Sequence, residues 1–378
     1  MAAWQRLSLC AVCCCTSSQA AASQQLPASA AGWGHGSSSG SRPAGLEHLS
    51  ITNSAKVAGC HLQLSGIKLR KLQQLTYLHL QQRTELQRQG PDSDRIKLHH
   101  LSALTRLSDL RLSLSRGYSI SASMLSASQH LTHLQLEMNA VRLKQSALAG
   151  RTQLQHMDLQ GQRVSGDAAG AAQWLSELQP LQQLTCLEFS MCSTAFPPAA
   201  ADSALTASTK LQHMKLGCCL PAGMWQHMFP AGRQLPHLHV LSIEGTRRSQ
   251  AGFAAAPTGT QLVGCCPGLQ ALTMWGLPCS TELMGALRGL SSLTSLSLSP
   301  PWRPAILSEA LPMLQQLTRL RRLRMALNNT AEELLLQLPQ LRQLTHFFCL
   351  GCMEGHLGFF SHVGDYDPQC QVWGIVDC

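Results

Sequence analysis

Residues 72–80 read LQQLTYLHL, and the first five letters of that stretch return twice as LQQLT, at 181–185 and 314–318, and once as LRQLT, at 341–345. The starts are 109, 133 and 27 residues apart, close to 4, 5 and 1 units of about 27. A self-similar period of roughly 20 to 50 residues marks a solenoid or a repeat array. The question the stretch raises is therefore what structural unit repeats.

The answer lies in the residues that follow LQQLT. From about residue 46 the pattern L-x-x-L-x-L recurs, with middle positions at 78, 110, 134, 157, 187, 214, 241, 272, 296, 323 and 347. Their spacings run from 23 to 32 residues. In L-x-L the two apolar side chains leave one face of a short strand and the residue between them leaves the other. The remaining chain in each unit, about 20 residues, is enough to return behind the strand. The capping box Thr330-Ala-Glu-Glu333 and the Ala-rich stretch after Asp167 predict helices in two of these returns. One unit cannot bury its apolar face alone, whereas stacked neighbours share a continuous core. A partial unit begins at Leu46-Leu49-Ile51. Asn, Cys or Thr often stands three positions after the last apolar residue, as at Asn139, Cys192, Cys219, Thr246, Asn328 and Cys352.

The chain resembles leucine-rich repeat proteins, whose unit reads L-x-x-L-x-L-x-x-N/C-x-L. The resemblance spans about 75–352 and implies an α/β solenoid: a curved horseshoe with a parallel sheet on its concave face and helices or turns on its convex face. Leu277 and Pro301 stand where Asn or Cys is expected, and SPPWRP (299–304) predicts a longer loop. Three regions follow: 1–45, a disordered tail or targeting peptide; 46–352, the repeat domain; and 353–378, an irregular segment capping the array through Phe359, Phe360 and Trp373.

Composition agrees with an aliphatic repeat core. Apolar residues make up 44 % and charged residues 13 %, half the usual share of roughly 25 %. The net charge of +9 comes from a shortage of acids, 20 against 29 bases. No long Lys/Arg block points to nucleic acid, and no apolar run is long enough for a transmembrane helix. The tail holds Cys10, Cys13, Cys14 and Cys15 behind Arg6 and no acid before Glu47. That suits a solvated tail, a signal or transit peptide, or palmitoylation. The sixteen cysteines are irregularly spaced, and the pairs Cys218–Cys219 and Cys265–Cys266 read as neighbours on strands, pointing to opposite faces. Reduced thiols in a reducing compartment are expected.

Catalytic signatures are thin. Gly36-Ser-Ser38-Ser-Gly40 fits G-x-S-x-G without the strand and helix that motif needs. Cys349-x-x-Cys352, with His346, His356 and His362, has zinc-like residue types, but both cysteines already occupy structural repeat positions. No catalytic residue, metal or cofactor is therefore assigned. The rival enzymatic reading places chemistry in the C-terminal segment, at His356, His362, Asp365 and Asp367.

The residues between the leucines carry more information. The third position of the unit reads Tyr77, Asp109, His133, His156, Cys186, His213, Val240, Ala271, Ser295, Arg322, His346. The fifth reads His79, Arg111, Gln135, Asp158, Glu188, Lys215, Ser242, Thr273, Ser297, Arg324, Phe348, and the seventh includes Glu137, Gln160, Glu244 and Trp275. Strands about 4.8 Å apart spread these columns over roughly 50 Å. The acids Glu137, Asp158, Glu188 and Glu244 collect mid-array beside His133, His156 and His213. Trp275, with Trp302 one repeat on, is placed as an aromatic anchor, and Arg322 and Arg324 are placed to meet an acidic group.

The expected function is non-enzymatic protein–protein scaffolding through the concave face. The partner-binding set is His133, Gln135, Glu137, His156, Asp158, Glu188, His213, Lys215, Glu244, Trp275, Arg322 and Arg324. The resemblance also admits the substrate-recognition arm of a ubiquitin ligase, although residues 1–45 show no F-box helices, or a structural protein of the ciliary axoneme. A cytoplasmic monomer that binds protein and not nucleic acid is expected. An axonemal location is the alternative, or an organelle or the secretory pathway if the tail is a targeting peptide.

Overall fold

The computed structural model describes residues 6–11, 46–53, 69, 72–82, 98–114, 118–138, 141–143, 146–161, 175–191, 199–217, 227–244, 259–275, 281–299, 312–326, 344–350 and 371–372. They belong to two compact units, residues 1–115 with 123–130, and residues 116–122 with 131–378.

The first unit holds four parallel strands: β1 (Arg6–Ala11), β2 (His48–Asn53), β3 (Tyr77–Gln82) and β4 (Asp109–Leu114). The partial motif at Leu46 is thus a full strand. Part of the segment assigned to the tail is a strand as well. Leu7 stands beside Leu49 and Leu9 beside Ile51, because LSL has the same L-x-L alternation as the repeats. Leu78, Leu80, Leu110 and Leu112 form the core at 0–1 % exposure.

The second unit carries β5 (Tyr118–Ile120) and β7 (Val141–Leu143) as a separate parallel pair. Its sheet runs through β6 (His133–Met138), β8 (His156–Gly161), β9 (Cys186–Met191), β10 (His213–Gly217), β11 (Val240–Glu244) and β12 (Ala271–Trp275). It continues through β13 (Ser295–Ser299), β14 (Arg322–Ala326), β15 (His346–Leu350) and β16 (Gln371–Val372). β16, two residues of the segment expected to be irregular, extends this sheet beside β15. Every motif leucine from 131 to 323 that opens or centres a unit is buried, for example Leu154, Leu187, Leu241 and Leu296.

The Thr of LQQLT has a definite task. In several repeats the carbonyl of the residue just ahead of the strand accepts two backbone N–H groups from the next repeat, as Glu47 does from Thr76 and Tyr77 at 2.8 and 3.1 Å. The hydroxyl of Thr76 donates to that same carbonyl at 3.2 Å. Thr185 repeats this on Gln155 and Thr345 on Arg321, at 3.0 and 3.1 Å. Thr318 does not take this place. It sits in a turn, donating its N–H to the Gln316 carbonyl, and Arg321 holds the place just ahead of that unit's strand, donating its N–H to the Thr294 carbonyl at 2.8 Å. The copy at 314 is therefore shifted relative to its strand.

The described helical segments include 98–103, 122–125, 199–206, 259–265, 281–287 and 312–316. Buried hydroxyls tie returns together: Ser208 donates to the Leu184 carbonyl at 2.7 Å and Thr206 to that of Met228 at 2.7 Å. Cys265 ends the helix 259–265 and Cys266 follows it, so this pair is not on a strand as expected, although both side chains are buried. Cys186, Cys265 and Cys266 are free thiols. Among the described residues no helix is long and apolar enough to cross a membrane.

Several sequence features lie outside the described residues. They are Gly36–Gly40, the turn residues Asn139, Cys192, Cys219, Thr246, Leu277, Pro301, Asn328 and Cys352, most of the helix expected after Asp167 (of which 175–176 are described and helical), the helix expected after Thr330, Trp302, and His356, Phe359, Phe360, His362, Asp365, Asp367 and Trp373.

Candidate functional site

The strand registers align the columns as the spacing of the motif implies. On the second unit His133, His156, Cys186 and His213 stand side by side on β6, β8, β9 and β10. Gln135, Asp158, Glu188 and Lys215 form the adjacent row in the same strands. All leave the side of the sheet opposite the leucine core, because they alternate with it.

The acidic part of this face is partly shielded from water. Asp158 is 4 % exposed, and its Oδ1 has no hydrogen-bond partner among the described residues. Gln160 donates to the other oxygen at 3.1 Å. Burial, with the neighbouring carboxylates Glu188 and Glu137 adding repulsion, pushes Asp158 up to about 6. His133 and His156 stack with ring centroids 5.6 Å apart and 22° between planes. His213 Nε2 lies 3.9 Å from Glu188 Oε1, and Lys215 Nζ lies 3.2 Å from Glu244 Oε1.

Cys186 is the nucleophile type on this face. Burial and the charges of Glu188 and Asp158 push its thiol up to about 12, so it stays protonated at neutral pH. Parallel strands project these side chains side by side. Accordingly, no group of three His, Cys, Asp or Glu among the described residues is arranged to hold a metal ion.

Further along the sheet the face changes character. An open groove of about 810 Å³ lies over β11–β15 and includes Trp275, Ser295, Ser297, Arg322, Arg324 and His346 in its lining. Trp275 Nε1 donates to Ser297 Oγ at 2.9 Å, and the Arg324 guanidinium sits 4.5 Å from the Trp275 ring centre. Arg322 stands in register with Ser295 and His346, and Arg324 with Ser297.

All twelve residues singled out in the sequence thus share one face of one sheet. They fall into two groups, acidic with histidine on β6–β10 and basic with tryptophan on β12–β14, bridged by the Lys215–Glu244 pair. Sequence reasoning missed the small hydroxyl residues Thr273, Ser295 and Ser297, whose lack of bulk opens the groove. The only signal for them was a run of small letters in the third and fifth columns. It also gave no weight to a cluster on the first unit. There Asp109 accepts two hydrogen bonds from Arg111 at 3.0 Å, and that guanidinium lies 5.5 Å from the Tyr77 ring centre.

Neither protein-family models nor curated proteins give a match to this chain. Solved structures do. A leucine-rich repeat protein of Leptospira interrogans aligns with a TM-score of 0.52 and 17 % identity, over 87 % of this chain and 72 % of that one. The leucine-rich repeat ectodomain of the Arabidopsis thaliana receptor kinase GASSHO1/SCHENGEN3, in complex with Casparian strip integrity factor 2, gives 0.40 and 14 % over 81 % of this chain and 35 % of that one. The mouse RP105/MD-1 complex gives 0.45 and 18 % over 79 % and 46 %. This chain spans less than half of each of the last two. At such identities the likeness to the first of the three speaks to fold alone. The repeated L-x-x-L-x-L motif, the parallel strands it forms and this likeness make the chain a leucine-rich repeat protein in fold.

Proposed function

We propose that the second unit binds a protein partner on its strand-lined face and performs no chemistry there. One observation carries the reading: a single sheet face bears an acidic group and a basic–aromatic group several strands apart, in a chain with only 20 acids. A surface serving solubility alone has no need to sort its charges. Sorted charge instead steers and orients a complementary partner. Trp275, held by Ser297 and covered by Arg324, is a rigid aromatic of the kind that anchors interfaces. The protonated Cys186 thiol favours binding over nucleophilic catalysis.

The test compares affinity purification of the intact chain with that of a Glu137→Lys, Asp158→Asn, Glu188→Lys variant, using Asn at the buried position to spare the fold. Loss of a partner in the variant alone supports the reading. Identical partners from both proteins, at equal recovery, contradict it.

A further inference from the structure

The groove over β11–β15 has a composition that selects for one kind of group. Its fixed positive charges are Arg322 and Arg324, two residues apart on β14, so both side chains leave the strand on the groove side. His346 stands beside Arg322 on the next strand, and Ser295 and Ser297 stand beside the two arginines on the preceding one. The one acid among its described lining residues, Glu244, lies at its β11 edge and is paired with Lys215 at 3.2 Å. Two permanent positive charges, flanked by serine hydroxyls on one strand and an imidazole on the other, face an open volume of about 810 Å³.

We infer that this groove receives a phosphorylated serine or threonine side chain from the protein partner, its phosphate held by Arg322 and Arg324. The inference rests on the binding reading above and gives the partner a chemical class. Three points lead to phosphate. The guanidinium fork matches phosphate oxygens in bidentate geometry. Two arginines balance the charge of a phosphate monoester, which is about −1.5 to −2 at neutral pH. The donors carried by Arg322, Arg324, His346, Ser295 and Ser297 outnumber what the two oxygens of a carboxylate accept, whereas a phosphate offers three terminal oxygens. Stacking on Trp275 uses the face of the Arg324 guanidinium, while hydrogen bonding uses its in-plane N–H groups, so the two contacts do not compete. The groove is much larger than a phosphate, which leaves room for peptide on either side.

The experiment is calorimetric titration of the intact chain with a phosphoserine pentapeptide, acetyl-Gly-Ala-phosphoserine-Ala-Gly-amide. The same peptide with Ser or with Glu at the centre, orthophosphate, and a single-stranded RNA oligonucleotide are titrated in parallel. The expected result is binding of the phosphopeptide, at least tenfold weaker binding of the Glu and Ser peptides, and loss of at least tenfold on Arg322→Ala or Arg324→Ala. Arg322→Lys, which keeps the charge and removes the fork, falls between. Both arginines are exposed, so thermal melts of the variants should match that of the parent. Four results overturn the inference: no binding of the phosphopeptide, equal binding of the Glu peptide or of orthophosphate, undiminished binding by the double arginine variant, or tighter binding of the RNA. If the phosphopeptide fails while the acidic-group variant still loses its partner, the binding face stands and the phosphate assignment falls.

Discussion

Trp275 on β12 donates its indole N–H to the hydroxyl of Ser297 on β13, so a hydrogen bond between neighbouring strands fixes the largest aromatic on the face. Trp275→Phe and Ser297→Ala should each lower stability by about 1 kcal/mol. The double variant should lose little more than either single one, because both remove the same bond. Denaturant titration of the four proteins checks this.

Asp158 gives a pH dependence with a definite sign. Its folded value, about 6, lies above its ordinary value of 3.8, so the native state holds the proton more tightly than the unfolded chain. Ionisation therefore weakens the fold, and Asp158's contribution to stability falls as pH rises from about 4 to about 6. Asp158→Asn should stabilise the protein by about 1–2 kcal/mol above pH 6, allowing for residual solvent screening. The gain should shrink as pH falls below 6 and vanish below 3.8, which melting temperatures from pH 3.5 to 8 would show.

The buried hydroxyl of Ser208 donates to the carbonyl of Leu184 at 2.7 Å and to that of Gln182 at 3.2 Å. Ser208→Ala removes the donor and keeps the packing, so a loss of about 1–3 kcal/mol is expected. Ser126, whose hydroxyl is exposed and bonds within its own turn, provides the control. Ser126→Ala should cost less than about 0.5 kcal/mol. Chemical denaturation of both variants separates the two cases.

Two nearby glycines should respond with opposite sign. A Cβ at Gly268 would meet the Pro236 carbonyl oxygen at 2.8 Å, a backbone atom that cannot swing aside. Gly268→Ala should destabilise by about 1–3 kcal/mol. Gly264, inside the helix 259–265, has nothing within 4 Å of the added carbon. Gly264→Ala should stabilise by about 0.5–1 kcal/mol through helix propensity and reduced chain entropy. Melting temperatures of the two variants give the signs directly.

The strands were legible because burial enforces the alternation that reveals them. Each motif centre from Leu78 to Phe347 lies in a strand, and the columns of the binding face follow from the same alternation. The failures have the opposite cause. LSL at 7–9 reads as part of a tail or targeting peptide because it lies apart from the periodic run, yet it pairs with β2 in the same register as a repeat. The Cys265–Cys266 pair reads as strand because nothing in two letters shows where a short helix ends. The groove beside Trp275 is made by absent bulk at Ser295 and Ser297, and a missing side chain leaves no motif to find. The depressed ionisation of Asp158 depends on the neighbours that cover it, which only the folded packing supplies.

The most direct test of the central claim is site-specific photo-crosslinking in the native cell, with benzoylphenylalanine placed in turn at Gln135, Thr273 and Gln316. Gln135 and Thr273 lie on the strand-lined face. Gln316 is exposed on the return helix at 312–316. Covalent adducts to a common protein from positions 135 and 273, and none to it from 316, are the predicted result. Adducts to that protein from 316 with none from the two face positions would contradict the account.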